Sequence, residues 1–174
     1  IKAAENTITT FDATTNFQTR DHQLRIIQDH SENIKYKITD KAILVFIPNS
    51  MKMNTVLVQS EIRKAIESAW RKEAKEHLPK RTQELAKKHG FSYQKVTIKN
   101  TKTRWGSCSF VNNINLSLHL MRLPDYLIDY VILHELVHTK VKNHSQDFWG
   151  MLTEKSSMSK EYDKELKNYR IAIY

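Results

Sequence analysis

The rhythm of apolar and polar positions changes several times along the chain, and each change marks an element. Ile34, Tyr36 and Ile38 alternate with Lys35 and Lys37, whereas Ala42 to Ile47 is apolar throughout. These are the patterns of a half-buried and a fully buried strand. Turn-forming residues at 29–33 and 39–41 separate the runs, and Pro48 ends them. A small antiparallel sheet of two or three strands is therefore predicted between Leu24 and Ile47. After a cap at Asn54 or Thr55, residues Val56, Ile62, Ala65, Ile66, Ala69 and Trp70 recur at helical spacing. Pro79 predicts a break or restart of this helix, and Gly90 its end. Residues 93–99, 105–110 and 114–118 read as further strands, with Asn112-Asn113 as the turn between the last two. Pro124 suits the first turn of a helix. Residues 127–140 then form the most apolar helical stretch, so its polar residues need partners. Two more helices are expected over about 146–156 and 160–169. Residues 1–18, rich in Thr, Asn and Ala, have no period and read as a poorly ordered or loosely docked arm. Residues 19–174 are left as a single α+β domain.

Composition narrows the class. The chain has 174 residues, 40% hydrophobic and 27% charged, which fits one folded domain with a real core. Three glycines and three prolines argue against a turn-rich sandwich. No apolar run is long enough to cross a bilayer and no export leader opens the chain, so no membrane association is expected. Cys108 is the single cysteine and cannot pair internally, which favours a reducing compartment, the cytoplasm by default. The net charge of +9 is uneven. No Asp or Glu occurs between Glu84 and Asp125, an interval holding Lys87, Lys88, Lys95, Lys99, Lys102, Arg104 and Arg122. Such a field suits an acidic partner, nucleic acid or an acidic polypeptide; the alternative is a solvated surface that aids solubility.

The segment His134-Glu135-Leu136-Val137-His138 carries the chemistry. Residues four apart share a helix face, so both imidazoles can reach one ion. Glu135 points to the neighbouring flank, within reach of a water on that ion without ligating it. A catalytic zinc takes three protein ligands and keeps one position open. His144 follows His138 with five residues between, enough for the chain to leave the helix and turn back. Two imidazoles and a carboxylate in an apolar helix are expensive unless paired or bound to metal.

Residues 103–109 (Thr-Arg-Trp-Gly-Ser-Cys-Ser), 114–117 (Ile-Asn-Leu-Ser), the His134 motif, Asn143-His144-Ser145 and Phe148-Trp149 follow one another along the chain. In this order they resemble the motifs of the bacterial YgjP-like metallopeptidases, which are related to the WLM and SprT-like zincins. The clear match covers roughly residues 93–150. The resemblance implies a zincin-like fold, with a sheet whose edge strand borders the cleft and packs on the active-site helix. It also implies zinc and peptidase chemistry on a polypeptide substrate. WLM and SprT-like relatives are associated with DNA and with proteins bound to it, which lends the acid-free interval a meaning by analogy. The same histidine spacing occurs in metzincins, but those place a glycine where this chain has Val141. Asn143, tolerant of left-handed geometry, is expected to do part of the turning instead.

Other residues carry two readings each. Arg104, Trp105 and Gly106 fall in the segment that the resemblance places beside the cleft. Arg104 suits an oxyanion or a substrate carboxylate or phosphate, and Gly106 close approach of a peptide backbone. Against this, Trp105 fits a core and Arg104 a surface pair. Cys108 reads as an inhibitory thiolate or a small buried hydrophobe. His119 reads as substrate-orienting or structural. Phe148 and Trp149 fit an anchor behind His144, and Asp147 a partner for a ligand histidine or a helix-dipole residue. His22, His30, His77 and His89 lie in polar surroundings and are assigned no role. The expectation is thus a zinc metallohydrolase: His134, His138 and His144 bind one Zn2+, and Glu135 is the general base. Two rivals are a nucleic-acid-binding module with a structural metal, which leaves Glu135 without purpose, and a metal-dependent amidase acting on small molecules.

Overall fold

The continuous apolar run becomes a central strand, because only there is it covered by backbone on both edges. The structure, a computed structural model, describes residues 8–171. Its first sheet contains β1 (Gln23–Asp29), β2 (Lys35–Ile38) and β3 (Ala42–Pro48) in the order β1-β3-β2. β2 runs antiparallel to β3, but β1 runs parallel to it. The sheet is therefore mixed where an antiparallel one was expected. Three strands that alternate in direction leave the first and third parallel, and the most apolar takes the middle. On β3, Ile43, Val45 and Ile47 are fully buried. Lys35 and Lys37 lie exposed on edge strand β2, where charge discourages further pairing.

Helix α1 spans Val56–His89, and the Thr55 hydroxyl accepts from the Val58 N–H at 3.3 Å as its cap. Pro79 lies inside the helix and does not end it. The carbonyl it deprives of a partner belongs to Lys75, an exposed residue whose backbone can turn to water. Gly90, at φ 71°, closes the helix in the left-handed region.

Two compact units divide the chain, one ending at Glu73 and the other starting at Ala74, so α1 contributes to both. The first contains the β1-β3-β2 sheet. Of the expected N-terminal arm, residues 1–7 lie outside the described residues; residues 8–18 are docked. Phe11 is fully buried, meets Phe17 edge-on at 5.3 Å, and exchanges backbone hydrogen bonds with the Gln59 side chain at 2.9 and 2.7 Å. Two phenylalanines in a polar run suffice for this. His22 also departs from the polar surroundings read for it. It is buried, and its Nδ1 lies 2.7 Å from Oε1 of the fully buried Glu73. The same oxygen accepts from the Thr19 hydroxyl and the Asp21 N–H.

The second unit contains β4 (Lys95–Lys99), β5 (Gly106–Cys108) and β6 (Asn113–Ser117), in the order β4-β6-β5. β4 is parallel and β5 antiparallel to β6. The expected strand over 105–110 is trimmed to β5. Residues beyond it form the turn, where Asn112 takes φ 60° and donates to the Ser109 carbonyl at 3.0 Å. A 3-10 turn (Leu118–Arg122) leads to Pro124 and α2 (Asp125–Val137), then α3 (Gln146–Lys155) and α4 (Ser159–Leu166). α2 is buried nearly all round, as its composition predicted. A two-point ion pair from Arg81 of α1 to Asp129, both contacts 2.6 Å, fixes one flank. On another flank, Tyr126 donates to Glu165 at 2.6 Å and Tyr130 to Asp163 at 3.1 Å, tying down α4. The architecture is α+β, and among the described residues no helix is long and apolar enough to cross a membrane.

Candidate metal centre

The last turns of α2 present His134 and His138 on one face, as residues four apart must. Beyond Val137 the chain leaves the helix through backbone bonds from Lys140 and Val141 to the Val137 carbonyl, at 2.9 Å each. The Val141 carbonyl then faces back and accepts from Nδ1 of His138 at 2.9 Å. Asn143 takes no part in a left-handed turn: among the described residues the only non-glycine with positive φ is Asn112. His144 returns just ahead of α3, and its Nε2 lies 3.0 Å from Nε2 of His134 and 3.1 Å from Nε2 of His138. The three ligand atoms all lie within 4.8 Å of one another.

Protons alone do not account for this convergence. A carbonyl can only accept, so His138 carries its proton on Nδ1 and offers a bare lone pair at Nε2. His144 must then donate to His138, which leaves its Nε2 with no lone pair for His134. No set of neutral imidazoles gives each short contact a proton of its own, whereas one cation between the three nitrogens satisfies all three lone pairs. Tetrahedral zinc at its usual bond lengths sets nitrogens about 3.3 Å apart, close to the two distances from His144. Burial first, then the other two histidines, press the His134 imidazolium down to about 4; burial likewise lowers His138. Both rings are thus neutral near pH 7, the state a metal requires. The donor set fits zinc.

Phe148 of α3 supports all three rings from behind, at centroid distances of 4.8, 4.5 and 4.7 Å to His134, His138 and His144. Trp149 is half-buried and meets Phe148 edge-on at 5.5 Å. Tyr130, one turn before His134, sets its ring edge-on to that imidazole at 6.0 Å and is held by Asp163. The sequence reading missed Tyr130 and Asp163. The spacing of four before His134 was the available signal for Tyr130, whereas Asp163 arrives from a helix that nothing in the sequence ties to the site. Asp147 lies exposed in the first turn of α3, and its position there is explained by the helix dipole.

Glu135 is 5% exposed. Burial drives its carboxyl up to about 8, with the Arg104 charge pulling the other way. Such a carboxylate ionises at neutral pH only beside a strong positive charge. Its side chain fills the room that Gly106 leaves: a Cβ there would come within 2.8 Å of the Glu135 Cγ and Oε1. The openness expected at Gly106 for a peptide backbone is thus taken, on the side-chain face, by Glu135. Arg104 is exposed, and Trp105 is half-buried with its carbonyl accepting from the Ser117 N–H at 2.8 Å. Lys142 crosses from the ligand loop to the β5–β6 turn and donates to the Ser109 carbonyl at 3.0 Å and to Asn112 at 2.5 Å. Cys108 is half-buried and its thiol is raised, first by burial. His119 is fully buried, with Nε2 3.0 Å from the Asn100 side chain.

The model of the YgjP-like metallopeptidase domain matches residues 2–169. The chain belongs to this family. Metallopeptidases cleave polypeptides with the help of a metal, and among the described residues His134, His138 and His144 form a group that could hold one. No curated protein matches the chain. Among solved structures it is similar to two metallopeptidase zymogens. Jannalysin of Methanocaldococcus jannaschii is 24% identical (TM-score 0.46), over 52% of this chain and 93% of that one. Abylysin of Pyrococcus abyssi is 23% identical (TM-score 0.46), over 52% and 92%.

Proposed function

We propose that this YgjP-like protein is a zinc peptidase in which His134, His138 and His144 hold the ion and Glu135 is the general base. The observation that carries the reading is the approach of the His144 Nε2 to within 3.0–3.1 Å of the Nε2 atoms of both His134 and His138 while the carbonyl of Val141 occupies the other nitrogen of His138. When bound, zinc supplies Lewis-acid chemistry, acidifying water and polarising a carbonyl. The chain's own residues do the rest. Val141 fixes the tautomer and tilt of His138, and Phe148 holds the three rings together. Glu135, pinned against Gly106, takes a proton from the attacking water and hands it to the leaving amine. β5 is an edge strand, so a substrate backbone can extend the β4-β6-β5 sheet there. Arg104, Trp105 and Gly106 would then flank the bound peptide, Arg104 stabilising developing negative charge. The single cysteine favours the cytoplasm, and residues 19–174 act as one catalytic domain.

The test is metal content and turnover together. His134→Ala and His144→Ala should lose zinc by elemental analysis. Glu135→Gln should keep it and lose peptide hydrolysis. Full zinc in both histidine variants, or turnover in Glu135→Gln on a peptide the wild type cleaves, refutes the assignment. A second reading adds a DNA or DNA-bound-protein substrate to the same chemistry; the acid-free interval favours it, with Lys95, Lys99 and Lys102 exposed.

A further inference from the structure

The catalytic reading leaves one face of α3 unused. Phe148 and Leu152 are fully buried, and Phe148 supports the ligands. Gln146, Trp149, Gly150, Thr153 and Glu154 recur at the spacing of a single helix face and turn elsewhere. Together with Lys160 and Asp163 of α4, they line a groove of about 880 Å³ that begins at His144. That volume lies in the range of sites that bind small molecules and peptide segments. Its carboxylates already have cations: Asp163 pairs with Lys167 and Glu154 with Lys155, each at 2.7 Å. Beyond these pairs a guest meets a mostly apolar surface that includes the half-buried Trp149 ring and the bare backbone at Gly150, with Lys160, Gln146 and Thr153 as its other polar positions. A Cβ at Gly150 would meet nothing within 4 Å. Glycine is a poor helix former, and helix packing does not require it here, since no neighbour approaches. Its effect is to deepen the groove.

We propose that this groove is the specificity pocket of the peptidase and that it receives a large aromatic or aliphatic side chain of the substrate next to the cleaved bond. The inference rests on the peptidase reading above. Continuity carries it: His144 is both a candidate ligand and the rim of the groove, so a side chain in the groove belongs to a residue at the reacting centre. A mostly apolar surface with an indole wall, and the Lys160 cation in the lining, select an apolar guest over a cation.

The experiment uses end-blocked alanine hexapeptides with Phe, Leu, Ala, Lys or Glu at one varied position. Cleavage is measured with the zinc-loaded wild type, and binding by calorimetry with zinc-loaded Glu135→Gln. Each is repeated with Gly150→Leu added, a substitution for which the backbone has space. Wild type should favour Phe and Leu peptides over Ala by about tenfold or more in kcat/KM, as apolar pockets do. Gly150→Leu should bring that ratio near one, with zinc content and melting temperature retained. Cleavage without preference, or a preference that survives Gly150→Leu, overturns the pocket and leaves the peptidase. Selective binding to Glu135→Gln without wild-type cleavage keeps the pocket and overturns the peptidase. Neither binding nor cleavage of any peptide overturns both.

Discussion

Gly106→Ala is the sharpest probe of this site, because it adds one methyl group and touches no ligand. The new Cβ would lie 2.8 Å from Cγ and Oε1 of Glu135 and 3.0 Å from Cδ. Carbon atoms in ordinary contact sit about 3.5–4.0 Å apart, so the carboxylate or strand β5 must give way by nearly 1 Å. Glu135 is held on the buried helix α2, and the displacement therefore falls on its side chain. Overpacking of this kind costs about 1–3 kcal/mol of stability. A 1 Å misplacement of a catalytic group lowers turnover by about 10²-fold. The backbone at residue 106 is not left-handed, so alanine adds no conformational strain and the effect is steric alone. His134, His138 and His144 are untouched, and zinc content should stay at one equivalent. Elemental analysis, melting temperature and cleavage of a peptide that wild type accepts give the three readouts. Turnover within threefold of wild type, or zinc lost in step with activity, would show that Gly106 does not position Glu135. Gly150→Ala is the matched control for stability alone: with open space at its Cβ it should gain up to about 1 kcal/mol in helix propensity.

Three further predictions follow from burial and charge. In chelator-treated protein, native Glu135 keeps its proton up to about 8 whereas the unfolded chain releases it near 4.5, so stability falls as pH rises through that window. Glu135→Gln should remove this slope, making the metal-free variant more stable than wild type at pH 8 by at most about 5 kcal/mol; parallel urea melts at pH 5 and 8 check it, and equal slopes would refute it. Glu73→Ala strips the shared acceptor from His22, Thr19 and Asp21 in a fully buried position, and urea unfolding should show a loss of about 3–5 kcal/mol; a loss under 1 kcal/mol would contradict the role given to that carboxylate. Reversing Lys95, Lys99 and Lys102 to Glu should weaken DNA binding and flatten its salt dependence, read by fluorescence anisotropy, while sparing zinc; no binding by wild type at low salt would remove nucleic acid from the substrate reading.

Local chemistry in this chain was legible wherever a periodic pattern or a fixed spacing carried it. The burial of α2, its start at Pro124, the stop at Gly90 and the two histidines on one face all follow from side-chain periodicity and backbone preference. The return of His144 to the other two histidines was also legible, since a short loop limits where His144 can go. Tertiary structure decided what depends on partners distant in the chain. It placed β3 between β1 and β2 and made that sheet mixed, because strand order is set by which strand most needs cover rather than by succession. It carried α1 through Pro79, because the freed carbonyl lies at an exposed residue. It buried His22 against Glu73, although the residues flanking His22 are polar. Above all it gave Gly106 a different task, since only the approach of α2 to β5 shows that the space of a missing side chain is filled by the carboxylate of Glu135.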